Sequence, residues 1–378
     1  MTESRQKPDR IPENRRTFLR NAAIGMTAAS LADLFRPTGN TVASPAGGPA
    51  PEEEIRDAKT QIRIGVFDPA FHDLTLEQMI EVIKEFKIEA VELGSGNDPG
   101  SPHCDLEGLL ADPAKRRAYA AVFEKNDLMI SAFSCHGNPV HPNRDIAQHD
   151  DRIYRQTIDL TAQMGVNRMV CFSGCPGDGT GKHPNWIQSL ETDEWVELLE
   201  WQWREVLVPY WKDLAAYARQ RKVLIAIEMD SGNSVFNVAT LLKLRHAAGD
   251  NIGANLDFSG IFQLGIEPTA VLKKLGEESC IYHMHGKDIW IDPGNTAVNG
   301  LVDLTPYDDL AHRSWSYADI GFGHDLVVWK SIAETLQAVG YHHVISIEHE
   351  SPYTSDRIGV ARSAQALRQV LLDRAQIP

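Results

Sequence analysis

Three things are scarce in this 378-residue chain, and each scarcity removes a class of function. Positive charge is in deficit: 37 Lys and Arg stand against 52 Asp and Glu, a net charge of −15. Proteins that grip a phosphate backbone carry a basic face, so no nucleic-acid partner is expected. Long apolar runs are missing. No stretch approaches the roughly 20 uninterrupted apolar residues that cross a bilayer, so no membrane-embedded part is expected in the mature chain. Cysteine is sparse, odd in number and irregularly spaced: Cys104, Cys135, Cys171, Cys175 and Cys280. That is no disulfide framework, and Cys171-Phe-Ser-Gly-Cys175 lacks the two-pair pattern of a zinc site. A fourth absence bears on fold. No Gly-x-Gly-x-x-Gly loop follows the first strand-like segment, which argues against a dinucleotide-binding sheet.

What is present is enough apolar sequence for a large core, 43% of the chain, behind an unusual N-terminus. Asn14-Arg15-Arg16-Thr17-Phe18-Leu19-Arg20 opens a mildly apolar, small-residue segment over 21–35. This resembles a twin-arginine export signal, and Thr41-Val42-Ala43 offers a small-residue cleavage site. The chain thus divides into a signal (1–43), a linker (44–60) and a folded domain (61–378). The expectation is a periplasmic or secreted protein. Twin-arginine export carries folded passengers, which suits an enzyme loaded with metal before it crosses.

From residue 61 onward, strand-like and helix-like segments alternate. Strands are expected over 62–67, 90–93, 128–134 and 168–172. Helices are expected over 75–86, 113–125, 151–164 and 193–220, the last broken near Pro209. Four further apolar runs follow: Val223-Leu-Ile-Ala-Ile-Glu228, Ile252-Gly-Ala-Asn-Leu-Asp257, Ile281-Tyr-His-Met-His285 and Val344-Ile-Ser-Ile-Glu348. Helices near 238–246, 268–275, after Asp325 and over 356–374 complete eight repeats. The fold class is α/β, a single (β/α)8 barrel. The segment 288–323 after the seventh strand shows no clear helix. Length of that kind marks a lid or a pocket wall.

Each of the four later strands ends on a metal-type side chain. In a parallel barrel all strand C-termini open on one face, so Glu228, Asp257, His285 and Glu348 can converge. Buried carboxylates are costly alone, and one divalent ion compensates three of them. Three oxygens and one imidazole favour Mn or Mg and leave Co and Zn open. A cation that chelates a carbonyl and a neighbouring hydroxyl acidifies the C–H between them. Glu228 and Glu348, at opposite sides of the mouth, are the natural pair to remove and return that proton. Lys287 and Asp288 could polarise the oxygen or relay protons, or form a loop ion pair. His283, two residues before His285, faces the same way but deeper, as a core histidine or a support for the site.

These motifs resemble the xylose-isomerase-like TIM-barrel family of sugar phosphate isomerases and epimerases. The resemblance rests on Ile227-Glu228-Met229, Asn255-Leu256-Asp257-Phe258-Ser259, Tyr282-His283-Met284-His285-Gly286-Lys287-Asp288 and Ser346-Ile347-Glu348-His349-Glu350. It extends to Ala90-Val91-Glu92-Leu93-Gly94, Ser134-Cys135-His136-Gly137-Asn138-Pro139 and Phe172-Ser173-Gly174-Cys175-Pro176-Gly177. It implies one divalent metal ion on Glu228, Asp257, His285 and Glu348, with Glu228 and Glu348 as acid and base. It implies a small sugar or sugar derivative as substrate. Arg313 resembles a substrate-hydroxyl contact, and His136 and Asn138 line the sugar pocket, unless His136 is a structural loop histidine. Two departures stand out. Asp257-Phe258-Ser259-Gly260 replaces the Asp-Pro-Ser-His of many relatives, and Asp230 replaces a His after Ile-Glu-Met. Both alter the substrate side, and they count against the apurinic-endonuclease branch, which needs extra histidines.

The expected activity is metal-dependent sugar isomerisation or epimerisation. The alternatives are a dehydratase or lyase acting on a keto-sugar or 3-keto-glycoside, and a non-catalytic carbohydrate-binding barrel. The Trp-rich stretch 195–211 could supply an interface for a homo-oligomer.

Overall fold

The computed structural model describes residues 62–372. The export signal and linker expected over 1–60 lie outside the described residues. Eight parallel strands close into a barrel. They are β1 (Arg63–Phe67), β2 (Ala90–Gly94), β3 (Met129–Ser134), β4 (Arg168–Phe172), β5 (Leu224–Glu228), β6 (Ile252–Asp257), β7 (Ile281–Gly286) and β10 (Val344–Ile347). Between the last two comes an antiparallel pair, β8 (Asp288–Ile291) and β9 (Trp315–Ala318). Around the ring the order is β1, β10, β7, β6, β5, β4, β3, β2, so β10 wedges between β7 and β1 and closes the cylinder.

The strands read as near-continuous apolar runs because helices cover their outer faces and side chains fill the inside. β6, for example, is buried at all six positions, the two polar ones included. Trp211 and Trp329, on helices Val208–Gln220 and Leu326–Ala338, are wholly buried anchors of that outer layer. Helix starts follow capping chemistry. Thr75 and Gln78 form a reciprocal capping box before Leu76–Glu85, an arrangement worth about 1 kcal/mol.

Three local departures from the sequence reading have physical causes. The helix expected from 151 begins at Arg144, because Asn143 caps it by accepting from the Asp145 N–H at 3.0 Å. The helical region 193–220 is broken before Pro209 rather than at it. Helix Asp193–Trp201 passes through a π-helical segment, Gln202–Leu207, into Val208–Gln220. Pro209 has no N–H for an ordinary helical bond, and a wider turn just before it absorbs the mismatch. The segment after β7 is more ordered than expected: it holds the β8–β9 hairpin and a helix, Pro293–Asn299. Its organiser is Asp288. This buried carboxylate accepts from the N–H groups of Ile289 (2.9 Å), Gly321 (3.0 Å) and His324 (3.0 Å) and from Trp329 Nε1 (3.0 Å). Asp288 therefore ties the excursion to the barrel wall rather than facing the mouth.

Candidate metal centre

Glu228, Asp257 and His285 lie at the C-terminal ends of β5, β6 and β7, and Glu348 follows β10 by one residue. Those four strands are consecutive around the ring. In register, His285 sits opposite Asp257 on one side and Ser346 on the other. One donor atom from each of the four residues lies within 4.8 Å of the rest. The four donors are thus close enough to converge on one point between them.

The orientation of His285 makes the case sharper. Its Nε2 lies 3.0 and 3.1 Å from the two oxygens of Glu92, a fully buried carboxylate on β2. Nε2 must carry a proton to satisfy them. In the neutral ring Nδ1 is then a bare lone pair, and it points at Glu348 Oε2 (2.9 Å) and Glu228 Oε2 (3.2 Å). Acceptors facing acceptors repel unless a proton or a cation sits between them. His285 Nδ1 and Glu348 Oε2 are both buried without a hydrogen-bond partner. The donor set therefore fits a divalent cation, with Glu92 fixing the imidazole from behind.

Each ligand is held by a neighbour. Glu228 Oε2 accepts from His136 Nε2 (3.1 Å) and Asn255 Nδ2 (2.8 Å). Asp257 accepts from the N–H of Ser259 (2.8 Å) and its hydroxyl (2.7 Å), which caps the short helix Phe258–Gln263. Glu348 Oε2 is 3.2 Å from Lys287 Nζ. The charges respond to this crowding. Burial works against ionisation of Glu228, yet the imidazoles of His285 and His136 hold its carboxyl well below the usual range. Without an ion a proton takes that place on Nδ1: burial opposes a charged His285, but the carboxylates of Glu92, Glu348 and Glu228 raise it well above an ordinary histidine. Asp257 goes the other way: burial, with Glu348 and Glu228 nearby, pushes it up to about 7 despite Lys287. Asp230, half-buried near Glu228, is also pushed up to about 7 by desolvation and the Glu228 charge.

A second polar layer lies beneath. Glu92 accepts from the Ser134 hydroxyl, and the deeper imidazole of His283 stands 3.8 Å away. His283 also reaches Asn255 Oδ1 (3.2 Å) and Ser131 Oγ (3.4 Å). Burial alone would raise Glu92, but His285 and His283 bring it down to about 2.

The four residues expected at the substrate fall into four situations. His136 is buried between Phe67 and Phe172, with its Nε2 on Glu228, and so braces a ligand. Asn138 joins the loops after β3 and β4: its Nδ2 donates to the Cys175 carbonyl (2.9 Å) and its Oδ1 accepts from the Cys175 N–H (3.1 Å). Lys287 enters the centre itself, near Glu348, Asp257 and Glu350, with Nζ 4.3 Å from the Tyr317 ring. Arg313 is buried in the long excursion. Its Nε donates to the Trp315 carbonyl (3.0 Å), and its guanidinium lies over Tyr307 and Trp315. Sequence reasoning gave no role to Glu92, although a lone Glu inside Ala90-Val91-Glu92-Leu93 was a visible signal of a buried charge with a partner. Asn255 and Tyr317 carried no such signal.

A family model described as the xylose isomerase-like TIM barrel matches residues 80–370. Among known proteins, the uncharacterized protein YfiH of Bacillus subtilis (strain 168) is 35% identical over 304 residues, covering 79% of this chain and 96% of that protein. Solved structures share the fold at low identity. An L-ribulose 3-epimerase superposes with TM-score 0.55 at 15% identity, covering 84% of this chain and 100% of the other. The probable 3-DHS dehydratase AsbF from Bacillus anthracis gives TM-score 0.55 at 14% identity, covering 81% and 98%. The IOLI protein with a bound zinc atom gives TM-score 0.55 at 15% identity, covering 84% and 100%.

Proposed function

This chain belongs to the xylose isomerase-like TIM barrel family, and on that premise we propose that it is a divalent-metal-dependent sugar isomerase or epimerase. The observation that carries the proposal is His285 Nδ1, buried without a hydrogen-bond partner and 3.2 and 2.9 Å from the carboxylates of Glu228 and Glu348. Glu228, Asp257, His285 and Glu348 would hold the ion. When bound, it would polarise the substrate carbonyl and offset the negative charge that develops as the adjacent C–H ionises.

The side chains do the rest. Glu348 takes the proton, and Lys287 at 3.2 Å keeps its carboxylate ionised and ready to accept. Glu228 faces the same point from the other end of the arc and returns a proton, with His136 and Asn255 fixing its oxygen. Phe67, stacked on His285 at 5.6 Å, shields the rear of the imidazole from water. Mn and Mg suit the three oxygens, and a solved structure of the same fold that holds a zinc atom supports a bound ion. The substrate in this reading is a free or linked sugar, consistent with an exported enzyme.

A second reading, elimination to an unsaturated product, draws support from Asp230. It supplies a fourth carboxyl, half-buried near Glu228, that can protonate a departing group.

The test is proton exchange. Metal-loaded protein is incubated with ketoses and 3-keto-glycosides in deuterated water. Deuterium in an epimer or isomer supports the first reading. A dehydrated or cleaved product supports the second. Failure of every substrate to take up label would remove both and leave a binding protein.

A further inference from the structure

Beside the metal centre lies a cavity of about 370 Å³ that the chemistry above does not use. Trp186 and Gln188 from the loop after β4, Ser231 after β5, Gln263 after β6, and Tyr307 and Trp315 from the long excursion line it. It adjoins the mouth on two sides. Ser231 and Gln263 follow the ligands Glu228 and Asp257 within the same two segments, and Gln263 Nε2 donates to Ser231 Oγ at 3.2 Å. Trp315 packs 5.4 Å from Tyr317, whose ring covers the Nζ of Lys287.

The aromatic wall is braced. Tyr307 is 63% exposed, an unusual setting for so large a ring on a loop. It does not hang free: it stacks on Tyr317 at 5.9 Å and carries the Arg313 guanidinium 4.2 Å from its centre. Arg313 also bonds the carbonyls of Thr305 and Trp315, clamping both ends of the strand-and-loop segment that presents Tyr307. Trp315 Nε1 donates to the Leu301 carbonyl at 3.1 Å, and Trp186 packs edge-on against Phe236. A platform fixed in advance loses little freedom on binding.

The lining suits a ligand rich in hydroxyls, with flat apolar faces to cover the rings. Arg313 is buried, with Nε and Nη1 on the carbonyls of Trp315 and Thr305, and its Nη2 is buried without a partner, a donor left for a ligand oxygen. The Asp303 carboxylate is turned to the N–H groups of Thr305 and Ser314. The rest of the wall is flat aromatic surface, neutral amides and a hydroxyl, with the aliphatic side chains of Leu264, Val302, Leu304 and Pro306. That combination matches a pyranose, whose C–H face lies on an aromatic ring while its hydroxyls meet amides.

We infer that this cavity holds a second sugar ring, so that the substrate is a glycosidically linked pair of rings rather than a monosaccharide. The inference rests on the reading that the first ring binds at the metal. Its test is calorimetric titration of manganese-loaded full-length protein with glucose, cellobiose, maltose, trehalose and phenyl glucoside. At least one disaccharide should bind about tenfold or more tightly than glucose. Tyr307→Ala and Trp186→Ala should each erase most of that advantage, while glucose affinity and ion content stay as they were. Equal affinity for glucose and every disaccharide would overturn the inference, as would no measurable binding of any of them. A disaccharide advantage untouched by both substitutions would do the same. A gain confined to phenyl glucoside would assign the cavity to an apolar aglycone and likewise overturn it. Ion content and proton exchange, which decide the proposed function, are read separately from this ratio.

Discussion

Two layers of the barrel interior use the same kinds of side chain to opposite ends, and His285 belongs to both. In the lower layer one carboxylate, Glu92, faces two imidazoles and a serine hydroxyl, and each of its oxygens is met by a donor. In the upper layer three carboxylates face one imidazole and Lys287, and two buried atoms have no partner. Burial is nearly complete in both, so burial does not separate them. Balance does. A buried polar cluster that satisfies itself is scaffold, whereas one left with surplus negative charge is waiting for a cation.

That contrast can be broken in graded ways. The largest effect should come from the upper layer's own ligand. At an ion concentration of roughly 1,000 times Kd, the native protein should gain about 4 kcal/mol of stability. Asp257→Ala should gain none, read as thermal unfolding with and without Mn, and with no ion found by elemental analysis. Equal ion content in the two proteins would remove Asp257 from the ligand set. Next is Glu348→Gln, which should keep an ion but slow deuterium exchange by about 10²–10⁴-fold. Full exchange would deny Glu348 its role as base.

A smaller effect should come from below. Glu92→Gln leaves an acceptor for His285 Nε2 but removes the charge. It should weaken ion affinity by about 10–100-fold without large loss of fold. If affinity is unchanged, the two layers are independent and the division drawn above fails. The smallest effect is a pH slope. Asp257, at about 7 in the metal-free protein, must lose its proton to act as a ligand. Ion affinity should rise by about tenfold or more per pH unit below 7, and go on rising above it while His285 still has a proton to give up. The sign for folding is opposite. Between the ordinary carboxyl value of 3.8 and about 7 the folded metal-free chain holds a proton that the unfolded chain has released. This group's contribution to stability therefore falls as pH rises across that window. Denaturant titrations of the metal-free protein at several pH values would check it.

The barrel was legible because buried parallel strands write themselves as unbroken apolar runs, and β4 matches its expected range residue for residue. The upper donors were legible because each one ends such a run. The lower layer was not, since its members lie inside strands: Glu92 meets His285 from 193 positions away, a contact no local pattern encodes. The long excursion was misread as irregular for a similar reason. Its order depends on Asp288 collecting N–H groups from residues 33–36 positions later, and turns fixed at that range have no local composition to betray them. Arg313 was picked out from a short motif, but the motif could not say that the guanidinium would be clamped between two rings.

The seam of the cylinder carries one further implication. Glu348 follows the strand that is threaded last by sequence and seated between β7 and β1. The earlier donors can line up along a half-built wall, yet their set stays one short until that final staple snaps home. Ion capture would then coincide with ring closure, so an apprentice chain released early, still lacking its tail, would find no cation to reward it.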